Sequence, residues 1–403
     1  MGTKPVRFTT AAALLVLAAC GADEPTTAPS FAKGPAGQQF VAAPTAVEFS
    51  VPPGGSEVIT VTVQYLTTVT SSTSNSSCAT VSPASVPTKK PKGSSSYVAT
   101  FTVTAVGVGN CTITLQDKNN KSATVQVTVG APLPDRIVYS SFANGSSDVY
   151  IMDLDGQNKT PLTTTTDQDE LGALSADGRK ILMFWIKEVA PGSWDAGYKV
   201  MNVDGSNQTP IGVTGEISFA ELSPNRSQLV FSRSLNSRDR LFKADLSGAN
   251  EVQLTSPGDQ YSDQVPSWAG GVPGRIAFIR ETRSVWIMNA DGSGQTVVVP
   301  DGDSWLHDTF SLALSPDGTR IAFECTPTIH EVDICVVNVD GTGKTQLTTT
   351  VGSDQSPRWT RDGRIIFTSR RDGNSEVYIM NADGTDQTNL TNTPGVSEST
   401  STP

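Results

Sequence analysis

Val377-Tyr378-Ile379-Met380-Asn381-Ala382-Asp383-Gly384 is the last of six copies of one sequence phrase. The others occupy 149–156, 199–205, 241–248, 285–292 and 334–341. Their closing glycines, Gly156, Gly205, Gly248, Gly292, Gly341 and Gly384, stand 49, 43, 44, 49 and 43 residues apart. A strand-rich phrase that returns with a period in the forties marks a β-propeller of four-stranded blades.

The remainder of a blade surrounds each phrase. Upstream lies an apolar triplet: Ile137-Val138-Tyr139, Ile181-Leu182-Met183, Leu229-Val230-Phe231, Ile276-Ala277-Phe278, Ile321-Ala322-Phe323 or Ile365-Ile366-Phe367. Its large third residue is predicted to pack between blades. A turn precedes the triplet, as in Ser175-Ala176-Asp177-Gly178, Ser223-Pro224-Asn225-Arg226, Ser315-Pro316-Asp317-Gly318 and Thr360-Arg361-Asp362-Gly363. Proline presets φ in such a turn, and glycine accepts the left-handed position. Downstream, a short outer strand ends in Leu-Thr at Leu162-Thr163, Leu254-Thr255, Leu347-Thr348 and Leu390-Thr391. Innermost strands are predicted at about 171–174, 219–222, 265–268, 311–314 and 356–359. The first phrase lacks one, so the tail 394–403 is predicted to cross to the first blade and close the ring.

The elements Ser315-Pro316-Asp317-Gly318, Arg320-Ile321-Ala322-Phe323, the 377–384 phrase and Gln346-Leu347-Thr348 resemble the TolB-like propeller repeat, from about residue 134 onward. The resemblance implies an all-β, six-bladed propeller over 131–403. It also implies a place among cell-envelope complexes such as the Tol system, in which TolB contacts a peptidoglycan-associated lipoprotein. TolB carries its own N-terminal α/β domain, where this chain has a different region.

That region is 41–130. Val58-Ile59-Thr60-Val61-Thr62-Val63, the stretch 99–104 and the stretch 123–129 alternate apolar and polar residues and are rich in Thr, as half-buried strands are. Short strands between Gly, Ser, Asn and Pro turns predict a β-sandwich. The run Gly107-Val108-Gly109-Asn110-Cys111-Thr112-Ile113-Thr114-Leu115 resembles bacterial immunoglobulin-like domains. The resemblance implies that Cys78 and Cys111 staple two strands. A spacer role is the simplest, with adhesion the alternative.

The first residues are an address. Lys4 and Arg7 precede a 12-residue uncharged stretch, 8–19, too short for a membrane span of ~20 residues. Leu17-Ala18-Ala19-Cys20 then resembles a bacterial lipobox. It implies that 1–19 is a signal peptide, that Cys20 carries lipid, and that 20–40, rich in Ala, Pro, Thr and Gly, is a tether. An ordinary cleaved signal is the alternative. Gly21 in place of Asp implies outer-membrane sorting, on the periplasmic or cell-surface side. The five cysteines agree with export: beyond Cys20, the pairs Cys78/Cys111 and Cys325/Cys335 are local in sequence and fit disulfides, or pairs of buried thiols.

Charge narrows the partners. The 403 residues carry a net charge of −11; residues 1–130 hold 8 Lys/Arg and 5 Asp/Glu, and residues 131–403 hold 21 and 35. Nucleic acid requires a basic footprint, so it is not an expected partner. The two histidines, His307 and His330, are too few for a multi-histidine metal site. No nucleophile elbow, zincin motif, P-loop or dinucleotide fingerprint occurs. No catalytic residue, metal or cofactor is expected. The Asp153-Leu154-Asp155-Gly156 element reads as a turn in which Asx side chains bond the local backbone rather than as a calcium loop.

One constellation could recognise a ligand. An acid recurs six or seven residues before each turn: Asp169, Glu216, Asp263, Asp308 and Asp354, with Glu398 as the sixth. Starts of inner strands gather at one mouth of a propeller channel, so these acids are expected to form a ring that attracts cations. The alternative is that each acid caps its own turn. Trp185, Trp194 and Trp305 lie in or beside longer insertions and offer stacking surfaces, with burial the alternative. The expected function is a monomeric, non-catalytic envelope lipoprotein that binds a protein or glycan at the propeller mouth, touching the membrane only through its lipid. Two other readings stand beside it: a polysaccharide-acting enzyme with a carboxylate pair in the channel, and a structural or adhesive surface protein.

Overall fold

The computed structural model describes residues 40–49, 56–129, 135–143, 145–165, 167–175, 178–224, 226–256, 260–269, 274–306, 311–327 and 331–400. The expected signal peptide, Cys20 and all of the expected tether but its last residue, Phe40, lie outside them, as do His307, Asp308 and His330. The described residues are all strand, turn and loop, without a helix.

Residues 40–129 fold into two sheets. One orders Phe40–Ala43, Ser56–Val63, Tyr97–Ala105 and Ala79–Ser82; the other orders Ala46–Phe49, Ser122–Val129, Gly109–Asp117, Thr68–Thr73 and Ser85–Pro87. Alternation in sequence becomes alternation in burial: Cys111, Ile113 and Leu115 point inward while Thr112 and Thr114 face out. Ile59, Val61 and Phe101 of the first sheet meet Ile113, Leu115 and Val125 of the second in one apolar core. A disulfide joins Cys78, which leads into the first sheet, to Cys111 of the second, with their Cα atoms 6.1 Å apart.

Residues 135–400 form six four-stranded antiparallel sheets among the described residues. Five are built from consecutive strands, as in Gln168–Leu174, Lys180–Ala190, Ser193–Asn202 and Thr209–Pro210. The exception contains Arg136–Ala143, Ser146–Asp153 and Thr160–Pro161, and takes its innermost strand, Ser397–Ser399, from the far end of the chain. Ser140 pairs with Ser399, Ser141 with Glu398 and Phe142 with Ser397. The crossing of the tail expected from the repeat is therefore what the pairing contains. Its three residues are short and polar, and neighbours hold them: Glu398 N donates to Ser375 O at 2.8 Å, and Thr400 N donates to Thr368 Oγ1 at 3.0 Å.

The core lies between sheets. Phe231, Phe278, Phe323, Phe367 and Met183, the third residues of five triplets, are fully buried, and Tyr139 nearly so. Each apolar cluster pairs one sheet with the next, and Ile137, Tyr139 and Met152 meet Ile366, Val377 and Ile379 to complete the circle. The closing glycines have a packing reason. Gly156 has φ +79, and a Cβ there would lie 2.7 Å from the carbonyl oxygen of Leu390; at Gly205 the corresponding oxygen belongs to Leu162, at 2.9 Å. The Leu-Thr strand of one sheet thus docks on the glycine turn of the next, which explains why both elements repeat together. In five of these turns an Asx bond forms, as between Asp155 Oδ1 and Gln157 N at 3.0 Å, and in the remaining one the Ser247 hydroxyl accepts from Ala249 N, so the turn reading of Asp155 holds. The second disulfide, Cys325–Cys335, spans the hairpin of Arg320–Cys325 and Asp333–Asn338.

Candidate functional site

The innermost strands surround a central channel. At one end it widens to a cavity of about 510 Å³, lined from all six sheets by residues that include Glu170, Phe219, Glu221, Val265, Leu312, Glu324, Ser356, Arg358 and Glu398. A smaller cavity of about 120 Å³ at the other end is lined by Arg136, Leu174, Trp359 and Arg361. Glu221 and Arg358 line both, so this pair partitions the channel.

A recurring bulge decides what faces the channel. One extra residue sits in each of four inner strands, between Leu171 and Ala173, Ser218 and Ala220, Gln264 and Ser267, and Gln355 and Arg358. Phe219, Val265 and Ser356 lie in these bulges with φ of 45, 50 and 57°. A left-handed backbone is uncommon for any side chain and most unfavourable for a β-branched one such as valine. Simple alternation would send Asp354 and Arg358, four residues apart, to the same side. The bulge between them reverses the parity, so Arg358 lines the channel while Asp354 is buried between sheets.

The predicted acids are therefore not an open ring of free carboxylates. Asp263 is fully buried and takes two bonds from Arg280, Nε to Oδ1 at 2.6 Å and Nη2 to Oδ2 at 3.1 Å. The guanidinium lies 4.4 Å from the Trp286 ring centroid and 5.5 Å from that of Phe278. Asp354 has a looser version: Arg371 Nη2 donates to Oδ2 at 3.0 Å, its guanidinium lying 4.6 Å from the Tyr378 centroid, while Oδ1 is buried without a hydrogen-bond partner. Glu216 is exposed ahead of Ser218–Leu222, and Arg233 of the neighbouring strand bonds Glu251 at 2.5 Å instead. Asp308 is outside the described residues.

Asp169 and Glu398 differ from the others. Both are buried, and both are held by threonine hydroxyls rather than by an arginine. Asp169 Oδ2 accepts from Thr165 at 2.9 Å, while Oδ1 has no hydrogen-bond partner. Burial raises its carboxyl above the usual range, against the lowering effect of Thr165 and of Lys199. Glu398 Oε1 accepts from the Thr393 hydroxyl, and Oε2 is buried without a hydrogen-bond partner. Burial, and then the neighbouring Glu376, push it up to about 7.

The charged channel residues that escaped the sequence reading include Glu170, Glu221, Glu324 and Arg358. Glu170 is pushed up to about 7 by burial alone, with Oε2 unpartnered. Glu221 also rises to about 7 through burial, opposed by the charge of Arg358 and by bonds from Trp268 N–H and the Ser267 hydroxyl. Arg358 donates from Nε to Thr400 O at 2.6 Å, and burial lowers its pKa against the pull of Glu221. Glu324 Oε1 accepts from Ser356 N at 2.9 Å. A signal for the central pair did exist. The position two before each turn reads Ala173, Glu221, Ala313 and Arg358, so two opposite charges stand where the other repeats have small residues.

The two channel ends differ in surface. Phe142, Val189, Trp194, Leu235, Tyr261 and Val351 are exposed, and all lie at second-to-third-strand hairpins or on loops entering inner strands. Antiparallel pairing places those segments at the end where the large cavity opens. Trp194 is 61% exposed and Val351 82%. Trp268 by contrast is buried in the core between sheets. The opposite end carries the Asx turns, whose acids bond their own backbone.

Residues 274–402 match the family model described as the TolB beta propeller domain. Among solved structures, TolB from Acinetobacter baumannii is similar at 16% identity, over 70% of this chain and 75% of that one, with a TM-score of 0.50. Hydrazine synthase from Kuenenia stuttgartiensis is similar at 13% identity, over 66% of this chain and 46% of that one, with a TM-score of 0.52. At such identities the likeness is one of fold, and the C-terminal sheets of this chain make a TolB-like β-propeller.

Proposed function

We propose that this chain is an exported, non-catalytic envelope lipoprotein that docks a protein partner at the wide mouth of its propeller. In this reading Cys20 carries the lipid at the outer membrane, residues 41–130 are an immunoglobulin-like spacer, and residues 131–403 are a monomeric six-bladed propeller. The observation that carries it is the asymmetry of the channel: the polar cavity and the exposed apolar side chains share one end. Exposed large apolar side chains gathered at the same end as a polar cavity favour docking there over the opposite end. Two disulfides support an oxidising compartment.

Site-specific photo-crosslinking in cells tests the reading. Benzoylphenylalanine in place of Phe142 or Trp194 should yield a discrete protein adduct, and the same group in place of Asp204 or Asp291, at the opposite end, should not. Adducts only from the opposite end, from neither end, or adducts made of glycan refute it.

One observation favours a second reading. Glu170 and Glu398, both near 7 in the cavity, have the proton affinity a general acid needs at neutral pH. New reducing or unsaturated ends from envelope polysaccharides, lost in Glu170→Gln, would establish that enzyme.

A further inference from the structure

The inner-strand acids of two sheets have a built-in cation, and those of two others do not. Asp263 has Arg280 and Asp354 has Arg371, each guanidinium stacked on an aromatic ring. Asp263 stands opposite Arg280 itself, and Asp354, opposite Ser369, is reached by Arg371 two residues further on. Asp169 stands opposite Trp185 and Glu398 opposite Ser141. The two sheets without the arginine are neighbours, in contact through Arg136–Ala143, Ser146–Asp153 and Gln168–Leu174.

Each of these two sheets places one glutamate on the cavity. Glu170 and Glu398 both line it, and each keeps one oxygen, Oε2, buried without a hydrogen-bond partner. Glu398 is only 3% exposed. An unmatched buried carboxylate oxygen is costly, and a positive donor entering the cavity would remove that cost. The internal cation of the channel is otherwise engaged: Arg358 is drawn to Glu221 and bonded to Thr400 O. Arg370, at the rim, donates to Ser375.

We propose that the cavity wall carrying Glu170 and Glu398 receives a guanidinium or ammonium group carried by an inserted side chain of the docked protein. The inference rests on the docking reading above and deepens it by naming the chemistry of the inserted group. The surroundings of Glu398 are mixed: Glu376 and Tyr139 face it, and Lys159 lies near enough to favour its charged form. A cation binds the ionised wall, so affinity should rise with pH as both glutamates lose their protons near 7.

The test uses the full chain and the blocked tripeptide acetyl-Gly-Arg-Gly-amide, with its neutral citrulline twin, titrated by calorimetry. The arginine peptide should bind at least tenfold more tightly than the citrulline peptide, and about tenfold more tightly at pH 8 than at pH 6. Glu170→Gln and Glu398→Gln should each weaken it tenfold or more, whereas Asp204→Asn at the other end should leave it unchanged. Thermal melts establish that both glutamine variants fold, and either one alone suffices for the comparison. Equal binding of the two peptides, no binding of the arginine peptide, or unchanged affinity in both variants overturns the proposal. So does calcium binding at this wall that excludes the peptide. If crosslinks still form at Phe142 while the peptide fails, the docking reading survives and this inference alone falls.

Discussion

Replacing Glu398 with glutamine should make the propeller more stable at pH 8 and change it little at pH 5. Glu398 sits in the closing strand, 3% exposed, beside Glu376. Its pKa of about 7 in the folded chain compares with 4.5 for an ordinary glutamate. Below pH 4.5 the group is protonated folded or unfolded and has no effect. Between about 4.5 and 7 the unfolded chain ionises first, so stability falls as pH rises. Above about 7 the whole difference is present, roughly 3 kcal/mol by the linkage relation, and water in the open cavity reduces it to about 2 kcal/mol. Glutamine keeps the shape and cannot ionise. Glu398→Gln should therefore gain about 2 kcal/mol at pH 8 and less than about 1 kcal/mol at pH 5. Urea unfolding followed by tryptophan fluorescence measures this, because all six tryptophans, from Trp185 to Trp359, lie in the propeller region. An equal gain at both pH values, or a loss at pH 8, would refute the reasoning.

Three further outcomes can be checked by the same unfolding assay. Arg280→Met leaves Asp263 buried and unpaired and should cost about 3–5 kcal/mol, most of it recovered when Asp263→Leu is added. Gly205→Ala places a Cβ 2.9 Å from Leu162 O at a φ of +82, and should cost about 1–3 kcal/mol. Phe323→Ala empties a fully buried site between two sheets and should cost about 3–5 kcal/mol, with a lower urea midpoint and an unchanged slope.

Much of the architecture was legible because it rests on local rules repeated six times. The Asp383-Gly384 turn, the Phe367 knob and the Leu390-Thr391 outer strand each depend on a few neighbouring residues, so their spacing alone announced a ring of sheets. Even the crossing of the tail followed from counting strands. The candidate site was less legible. Asp169, Asp263 and Asp354 were found by their spacing, yet their orientation was not, because one bulge residue per strand reverses alternation downstream. Glu170 went unnoticed beside Asp169, although it is the one that lines the cavity.

The sequence by itself determined the all-β class, the period, the large residue between sheets and the cysteine pairs, since each arises from periodicity or short spacing. Tertiary structure alone decided which acids meet an arginine and which face the channel. Whether a buried carboxylate is neutralised depends on groups from other strands and other sheets. Arg280 meets Asp263 across a strand pair, Glu398 reaches Glu376 only because the chain end returns to the first sheet, and Glu221 and Arg358 come together from separate sheets across the channel axis. Charge, pairing and burial at the centre of this ring are properties of its closure, and no local stretch of residues contains them.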